Sequence, residues 1–97
     1  MRKITREIVM AFNGNYDKKV SNSEVISKDG ITSMYLFNNL IARKEIATGK
    51  TEITLAGWNT NTTRERLNAL CGVSVTQRNF APYLNGVEIN EYDFYTV

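Results

Sequence analysis

Histidine is absent from this sequence, and cysteine and proline each occur once, as Cys71 and Pro82. A single cysteine can form neither a disulfide within the chain nor a cysteine-based zinc site. The absence of histidine excludes the remaining zinc sites and an imidazole-based catalytic triad. No apolar run comes near the roughly 18 residues that a membrane-spanning helix needs. We therefore expect no metal, no cofactor and no membrane contact.

Other signs of catalysis are also missing. The sequence has no glycine-rich phosphate loop, and nothing sets the separation of the carboxylates of Glu52 and Glu65. Cys71 falls at the end of a predicted helix, where the helix dipole disfavours a thiolate, so we interpret it as a small buried residue. We expect a protein that is not an enzyme. The apolar run at residues 8–12 is short and no small-residue cleavage site follows it, which predicts a cytoplasmic location.

Length and composition predict one globular domain over residues 1–97, since 42% of the residues are hydrophobic. The net charge of +2 is unevenly distributed. Residues 1–20 contain five basic and two acidic residues, whereas residues 81–97 contain three acidic residues and no basic one. This distribution predicts a basic end and an acidic end of the molecule.

The most informative stretch runs from Gly57 to Gly72 and predicts a short helix over 63–71 with both ends marked. Thr62 and Glu65 have the spacing of a capping box, and Gly72 is typical of a left-handed residue that ends a helix. Leu67, Leu70 and Cys71 share one face, which we expect to pack on a sheet. Arg64, Glu65 and Asn68 are predicted to point away from it.

A first helix is predicted from Thr5, as N-cap, to about residue 12 or 13, with Gly14 ending it. Ile4 and Val9 have the spacing of a hydrophobic staple. Ile8, Val9 and Phe12 share a face that would pack on the core. The alternative is a helix that lies on a membrane surface.

The remaining segments predict strands joined by tight turns. Residues 15–23 are polar and predict a loop, and a turn at Asn38-Asn39 would place Phe37 opposite Leu40. Asn85-Gly86 is the strongest hairpin signal, and Pro82 predicts an edge strand beside it because proline cannot donate to a ladder. The same turn at Asn38-Asn39 would also pair Leu36 with Ile41 and Tyr35 with Ala42. The predicted strands are 23–27, 31–37, 40–46, 51–56, 73–77, 81–84 and 87–89, and Arg78-Asn79 is the predicted turn between 73–77 and 81–84. The fold class is therefore α+β: an N-terminal helix, an antiparallel meander, a short second helix and a C-terminal hairpin unit.

Three segments, Met34–Arg43, Gly57–Asn68 and Tyr83–Gly86, resemble a family of small proteins encoded by tailed bacteriophages. The segment from Gly57 to Asn68 is the most specific of the three. The resemblance implies a phage origin and action inside the bacterial host cell. The family carries no assigned chemistry, so the resemblance supplies no site residues.

Two groups of residues are candidates for binding. The first lies at the start of the second helix, where free N–H groups and the dipole attract anions and where Trp58 could anchor a protein partner. The alternative, which we favour, is that its polar residues serve only as caps and turn formers and that Trp58 is a core residue. The C-terminal aromatic residues either pack back on the domain, as we expect, or contact a partner. The first group is Trp58, Asn59, Thr60, Asn61, Arg64 and Arg66; the second is Tyr92, Phe94 and Tyr95.

These observations lead to three functional hypotheses. The first is a non-catalytic phage accessory protein that binds a host protein stoichiometrically and inhibits it or a bacterial defence system. The second is a nucleic-acid-binding module that contacts phosphates through the basic N-terminal end and through Arg64 and Arg66; its helix–three strands–helix order is similar to that of double-stranded-RNA-binding domains. The third is a minor structural or assembly protein. A homodimer through an edge strand is compatible with all three.

Overall fold

The computed structural model describes residues 2–97 and confirms the α+β class. Helix α1 precedes five strands, helix α2 follows them, and four further strands complete the chain. The elements are α1 (Lys3–Gly14), β1 (Lys18–Val20), β2 (Ser23–Lys28), β3 (Ile31–Leu36), β4 (Asn39–Glu45), β5 (Thr51–Ile53), α2 (Asn61–Asn68), β6 (Val75–Arg78), β7 (Ala81–Leu84), β8 (Val87–Glu88) and β9 (Tyr95–Thr96). Five strands between the helices, instead of three, make the order differ from that of a double-stranded-RNA-binding domain.

The strands form two antiparallel sheets. The larger sheet has the order β1-β2-β3-β4-β5-β9, and the smaller one has the order β6-β7-β8. Strand β9 returns from the C-terminal tail and pairs with β5, with Tyr95 opposite Ile53. The expectation that the tail packs back on the domain is therefore confirmed.

One hydrophobic core lies between the helices and the sheets. Helix α1 contributes Ile8, Val9 and Phe12, as its spacing predicted, and α2 contributes Leu67. Phe12 is 2% exposed, and burial of a side chain of this size stabilises a fold by about 1.5–3 kcal/mol. The apolar face of α1 is buried in this core, so it is not the membrane-facing surface that the alternative required. The other core residues are Ala11, Val25, Met34, Leu36, Ile41, Ala42, Ile53, Leu55, Leu70, Val73, Val75 and Leu84.

The predicted N-cap of α1 was wrong. The helix begins at Lys3, so Thr5 lies inside it and is fully buried, where its hydroxyl bonds to side chains of α2. At the other end Gly14 is the last helical residue, and Asn15 takes the left-handed conformation at φ 58°. The Lys44 ammonium donates to the carbonyl of Phe12 at 2.6 Å, which satisfies one of the free carbonyls at the helix C-terminus.

The predicted capping box of α2 was also wrong. The helix begins at Asn61, and the hydroxyl of Thr60 accepts the backbone N–H of Thr63 at 3.2 Å, so Thr60 is the N-cap. Helix α2 ends at Asn68, three residues earlier than predicted, and Gly72 has a φ of +78° in the turn beyond it. Leu67 and Leu70 are buried as predicted, but Cys71 is exposed because the helix has ended before it.

Two predictions failed in the first sheet. Lys18–Val20 is a strand although it lies in the predicted loop. The turn between β3 and β4 is Phe37-Asn38, not Asn38-Asn39, and both residues have positive φ (50° and 65°). Leu36 therefore faces Asn39 and Tyr35 faces Leu40, and a bulge then brings Met34 opposite Ala42. The predicted pairs Phe37–Leu40, Leu36–Ile41 and Tyr35–Ala42 were therefore wrong: Phe37 lies in the turn, and the partners of Leu36 and Tyr35 lie two positions earlier than predicted.

The second sheet confirms the hairpin at Asn85-Gly86, where both residues have positive φ (51° and 87°). The expectation of an edge strand at Pro82 was wrong, because β7 lies between β6 and β8. The Pro82 carbonyl accepts the N–H of Ile89 at 3.0 Å. Because the N and C=O of one strand residue point to the same side, the backbone N of Pro82 also faces the β8 side. Strand β8 ends at Glu88, and the missing donor therefore falls just beyond the end of the β7–β8 ladder.

Candidate functional site

A cleft of about 530 Å³ opens between the β3–β4 turn and the start of α2. Its two aromatic residues, Phe37 and Trp58, are 64% and 57% exposed. Within residues 2–97 its lining contains no charged side chain, and threonine and asparagine supply the polar part. The lining residues are Leu36, Phe37, Asn39, Ile41, Trp58, Thr60, Thr62 and Thr63.

The backbone around Trp58 explains why the indole is exposed. Strand β5 ends at Ile53, and Ala56 and Gly57 then turn the chain with φ of 53° and 81°. The backbone N–H of Trp58 donates to the Leu55 carbonyl at 2.8 Å, which closes this turn, and the indole lies outside the core. Tyr92 packs against Gly57 so closely that a Cβ there would lie 2.7 Å from its Cε1 atom. The interpretation of Trp58 as a core residue was therefore wrong, and the anchor for a partner remains.

Arg64 is placed beside the cleft, but its guanidinium is bound within the protein. It donates to the side chain of Asn61 at 2.5 Å and to that of Gln77 at 3.1 Å. It also donates to both the carbonyl and the side-chain oxygen of Asn59. These bonds connect the start of α2 to strand β6, so the arginine serves first to hold the loop.

Arg66 is not on the surface, contrary to the sequence-based expectation. It is 1% exposed and donates to Ser23 Oγ at 3.1 Å, Thr5 Oγ1 at 2.5 Å and Glu65 Oε1 at 2.7 Å. Burial lowers the pKa of the guanidinium, although an arginine remains protonated at neutral pH. The spacing of Thr63, Arg66, Leu67 and Leu70 along one helix face was the sequence signal that could have placed Arg66 inside.

Glu65 completes this buried polar cluster. Its carboxylate accepts from the Thr5 hydroxyl at 2.5 Å and from Arg2 Nε at 2.9 Å. The hydrogen bond from Thr5, followed by that from Arg2, holds the pKa of Glu65 below its usual value. Glu65 was predicted to point away from the domain, whereas it joins α2 to α1.

The second candidate group does not form one surface. Tyr92 is 73% exposed beside Gly57, while Phe94 and Tyr95 are half-buried. The Arg43 guanidinium stacks over the Phe94 ring at 3.8 Å from its centroid, and the Tyr95 hydroxyl accepts the Asn90 N–H at 2.7 Å. Phe94 and Tyr95 therefore stabilise the tail, and only Tyr92 remains available for a partner.

A family model described as Kyanoviridae Gp96 protein matches residues 1–97, the whole chain. The chain belongs to this family of phage proteins. The family membership confirms the phage resemblance of the sequence. Neither the curated proteins nor the solved structures contained a match.

This member of the Gp96 family carries one more exposed aromatic residue that sequence reasoning missed. Phe80 is 90% exposed at the tip of the β6–β7 hairpin, where Asn79 and Phe80 have φ of 50° and 67°. The turn was predicted one residue earlier, at Arg78-Asn79. Asparagine at Asn79 was the available signal, since it tolerates positive φ.

Two further features of this family member bear on metals and membranes. Over residues 2–97, no group of three or more cysteine, aspartate or glutamate side chains is arranged to hold a metal ion. Neither helix in that range has the length and apolarity that crossing a membrane requires. The aromatic cleft is therefore the feature of the described surface that most resembles a binding site.

Proposed function

We propose that this phage protein is a non-catalytic accessory protein that acts by stoichiometric binding to a host protein in the host cytoplasm. Through this binding it inhibits a host enzyme or a bacterial defence system. The observation that carries the proposal is the cleft between Phe37 and Trp58. Large aromatic side chains exposed around an uncharged concavity are typical of the centre of a protein–protein interface.

The polar part of the site also favours a protein over an anion. Arg66 is buried in the contact between the helices, and Arg64 has internal partners for its guanidinium. The hydroxyl of Thr60 already accepts the N–H of Thr63 at the start of α2. The cleft therefore offers apolar contact area and few free donors, which suits apolar side chains of a partner.

The experiment is a capture from host lysate followed by titration of the purified partner. The wild type should retain one protein, and calorimetry should give a stoichiometry of one to one. Phe37→Asn with Trp58→Ala should weaken that binding by at least about tenfold. Asparagine suits the left-handed backbone at position 37, so this variant should keep its fold.

A matched control is Met10→Ala. It removes an apolar side chain of α1 that is 58% exposed in the wild type. Its binding should equal that of the wild type. Equal binding by the Phe37/Trp58 variant would overturn the assignment of the cleft. Turnover of the partner by substoichiometric protein would overturn the non-catalytic proposal itself.

A second function, nucleic-acid binding, is favoured by one observation. Lys3 and Arg6 on α1 and Lys18 and Lys19 on β1 are all exposed. A phosphate backbone would contact this basic end, not the start of α2. Duplex binding that falls steeply with salt, and that loses slope in the variant Lys18→Gln with Lys19→Gln, would support this second function.

A further inference from the structure

The tip of the β6–β7 hairpin has an unusual composition for its backbone. Phe80 has a φ of 67°, in the second central position of a two-residue turn that ordinarily takes glycine. The equivalent positions at Asp29-Gly30 and Asn85-Gly86 do have glycine. A phenylalanine that is 90% exposed in a left-handed conformation is unfavourable for both folding and solubility.

Side-chain hydrogen bonds connect the β6–β7 hairpin to the segment that follows Trp58. The side chain of Gln77, on β6, accepts hydrogen bonds from Asn59 at 2.9 Å and from Arg64 at 3.1 Å. Asn59 directly follows Trp58, and Phe80 lies three residues beyond Gln77. Phe80 is nevertheless 90% exposed, so it does not fill the cleft of its own chain.

The charges near the two features are complementary. Arg78 flanks the hairpin tip, and the sequence has no acidic residue between Glu65 and Glu88. The acidic segment that contains Glu91 and Asp93 adjoins the chain next to Trp58, because the Glu91 carbonyl accepts the N–H of Gly57 at 2.9 Å. A basic residue next to Phe80 is thus opposite in charge to the segment next to Trp58.

We infer that a second copy of this chain inserts its Phe80 into the Phe37–Trp58 cleft, with Arg78 facing the Glu91 segment, to form a two-fold dimer. In a two-fold dimer each chain supplies both parts, so the contact occurs twice and the assembly closes. The inference goes beyond the proposed function, since the dimer covers the cleft when no host protein is bound.

The exposed area is sufficient for a modest dimer. Aromatic side chains bury about 150–250 Å² each, so Phe37, Trp58 and Phe80 together expose roughly 400 Å² per copy at fractions of 64%, 57% and 90%. Two copies bring about 800 Å² of aromatic surface, most of the roughly 1,200 Å² of a small specific interface. Neighbouring polar residues supply the remainder.

The sheet edges favour this contact over pairing of edge strands. Strand β8 and strand β9 have two residues each, and β1 presents Lys18 and Lys19. Short strands and edge lysines disfavour pairing with another sheet. The outer edge of β6 is already covered at Val75, whose N–H and carbonyl both bond to the side chain of Asn68.

Sedimentation of the purified full-length protein over a concentration series tests the inference. We expect a monomer–dimer equilibrium that Phe80→Gly weakens by about 30-fold or more, which is the loss of a hot-spot residue. Glycine suits the turn, so this variant keeps its fold. Trp58 is the only tryptophan, and its emission should shift to the blue with concentration in the wild type alone.

Exchange of the charged pair distinguishes this contact from non-specific association. Arg78→Glu should weaken the dimer, and the double variant Arg78→Glu with Glu91→Arg should restore it. A wild type that stays monomeric, association that survives Phe80→Gly, or open polymers in place of dimers would each overturn the inference. Because no host protein is present, a failure here leaves the proposed function standing.

Discussion

The guanidinium of Arg66 donates to the hydroxyl of Thr5 at 2.5 Å, across a separation of 61 positions in the sequence. This bond joins the middle of α2 to the first turns of α1. Glu65 accepts from the same hydroxyl, and Ser23 of β2 accepts from the same guanidinium. A buried arginine with three partners is thus the polar connection between both helices and the sheet.

Replacement of Arg66 should be the most destabilising single change at the helix contact. Arg66→Met keeps the apolar length but leaves the polar groups of Thr5 and Ser23 buried without their donor, so we expect a loss of about 3 kcal/mol. For a domain of this size the midpoint of thermal unfolding should fall by more than about 10 °C. Arg6→Met, at an exposed position of α1, is the matched control and should change stability by less than about 0.5 kcal/mol.

The cap of α2 gives a second prediction. Thr60→Ala removes the acceptor for the Thr63 N–H, so stability should fall by about 1 kcal/mol, or about 4–8 °C in the midpoint. Thr62→Ala, in the first turn of the helix, should leave the midpoint almost unchanged. An equal loss in both variants would mean that the capping interaction extends over the whole first turn.

Some of the fold followed from local sequence signals, and some depended on distant contacts. The hairpin at Asn85-Gly86 was predictable because adjacent residues determine that turn. The choice of Thr60 over Thr62 as cap was not, because both have the right chemistry. Arg66 was predicted on the surface because its partner Thr5 is remote in sequence: the helical spacing indicates the buried face of α2, but no local pattern indicates a partner that would satisfy an arginine there.

The candidate site was predicted in part for the same reason. Trp58 and Thr60 lie in a stretch whose turn and cap chemistry is visible in the sequence. Phe37 and Phe80 were missed because aromatic residues ordinarily argue against positive φ, and each turn was therefore predicted one residue away from its true position. A residue that contradicts its local preference is a useful indication of function.

The pH dependence of stability should reflect Glu65. Its pKa is lowered in the folded protein, chiefly by the hydrogen bond from Thr5 and then by that from Arg2. A lowered carboxyl pKa adds stability above the unfolded value of about 4.3 and loses it as the pH falls through the folded value. Thermal unfolding of wild type and Glu65→Gln should therefore differ most at neutral pH and converge below about pH 4. A constant difference from pH 7 to pH 3 would contradict this assignment.

The last prediction concerns a residue that the fold does not need. Phe80 is 90% exposed, so its removal loses little packing, while its left-handed backbone costs about 1–2 kcal/mol relative to a residue without Cβ. Glycine loses part of this gain through the greater entropy of the unfolded chain, so Phe80→Gly should raise stability by up to about 1 kcal/mol. Phe80→Val should lower it, since a β-branched side chain resists positive φ. Chemical denaturation of the three proteins, at a concentration low enough that the wild type sediments as a monomer, measures the order. A clear loss of stability in Phe80→Gly would show that the ring packs within its own chain, and the reason for seeking its partner in a second copy would disappear.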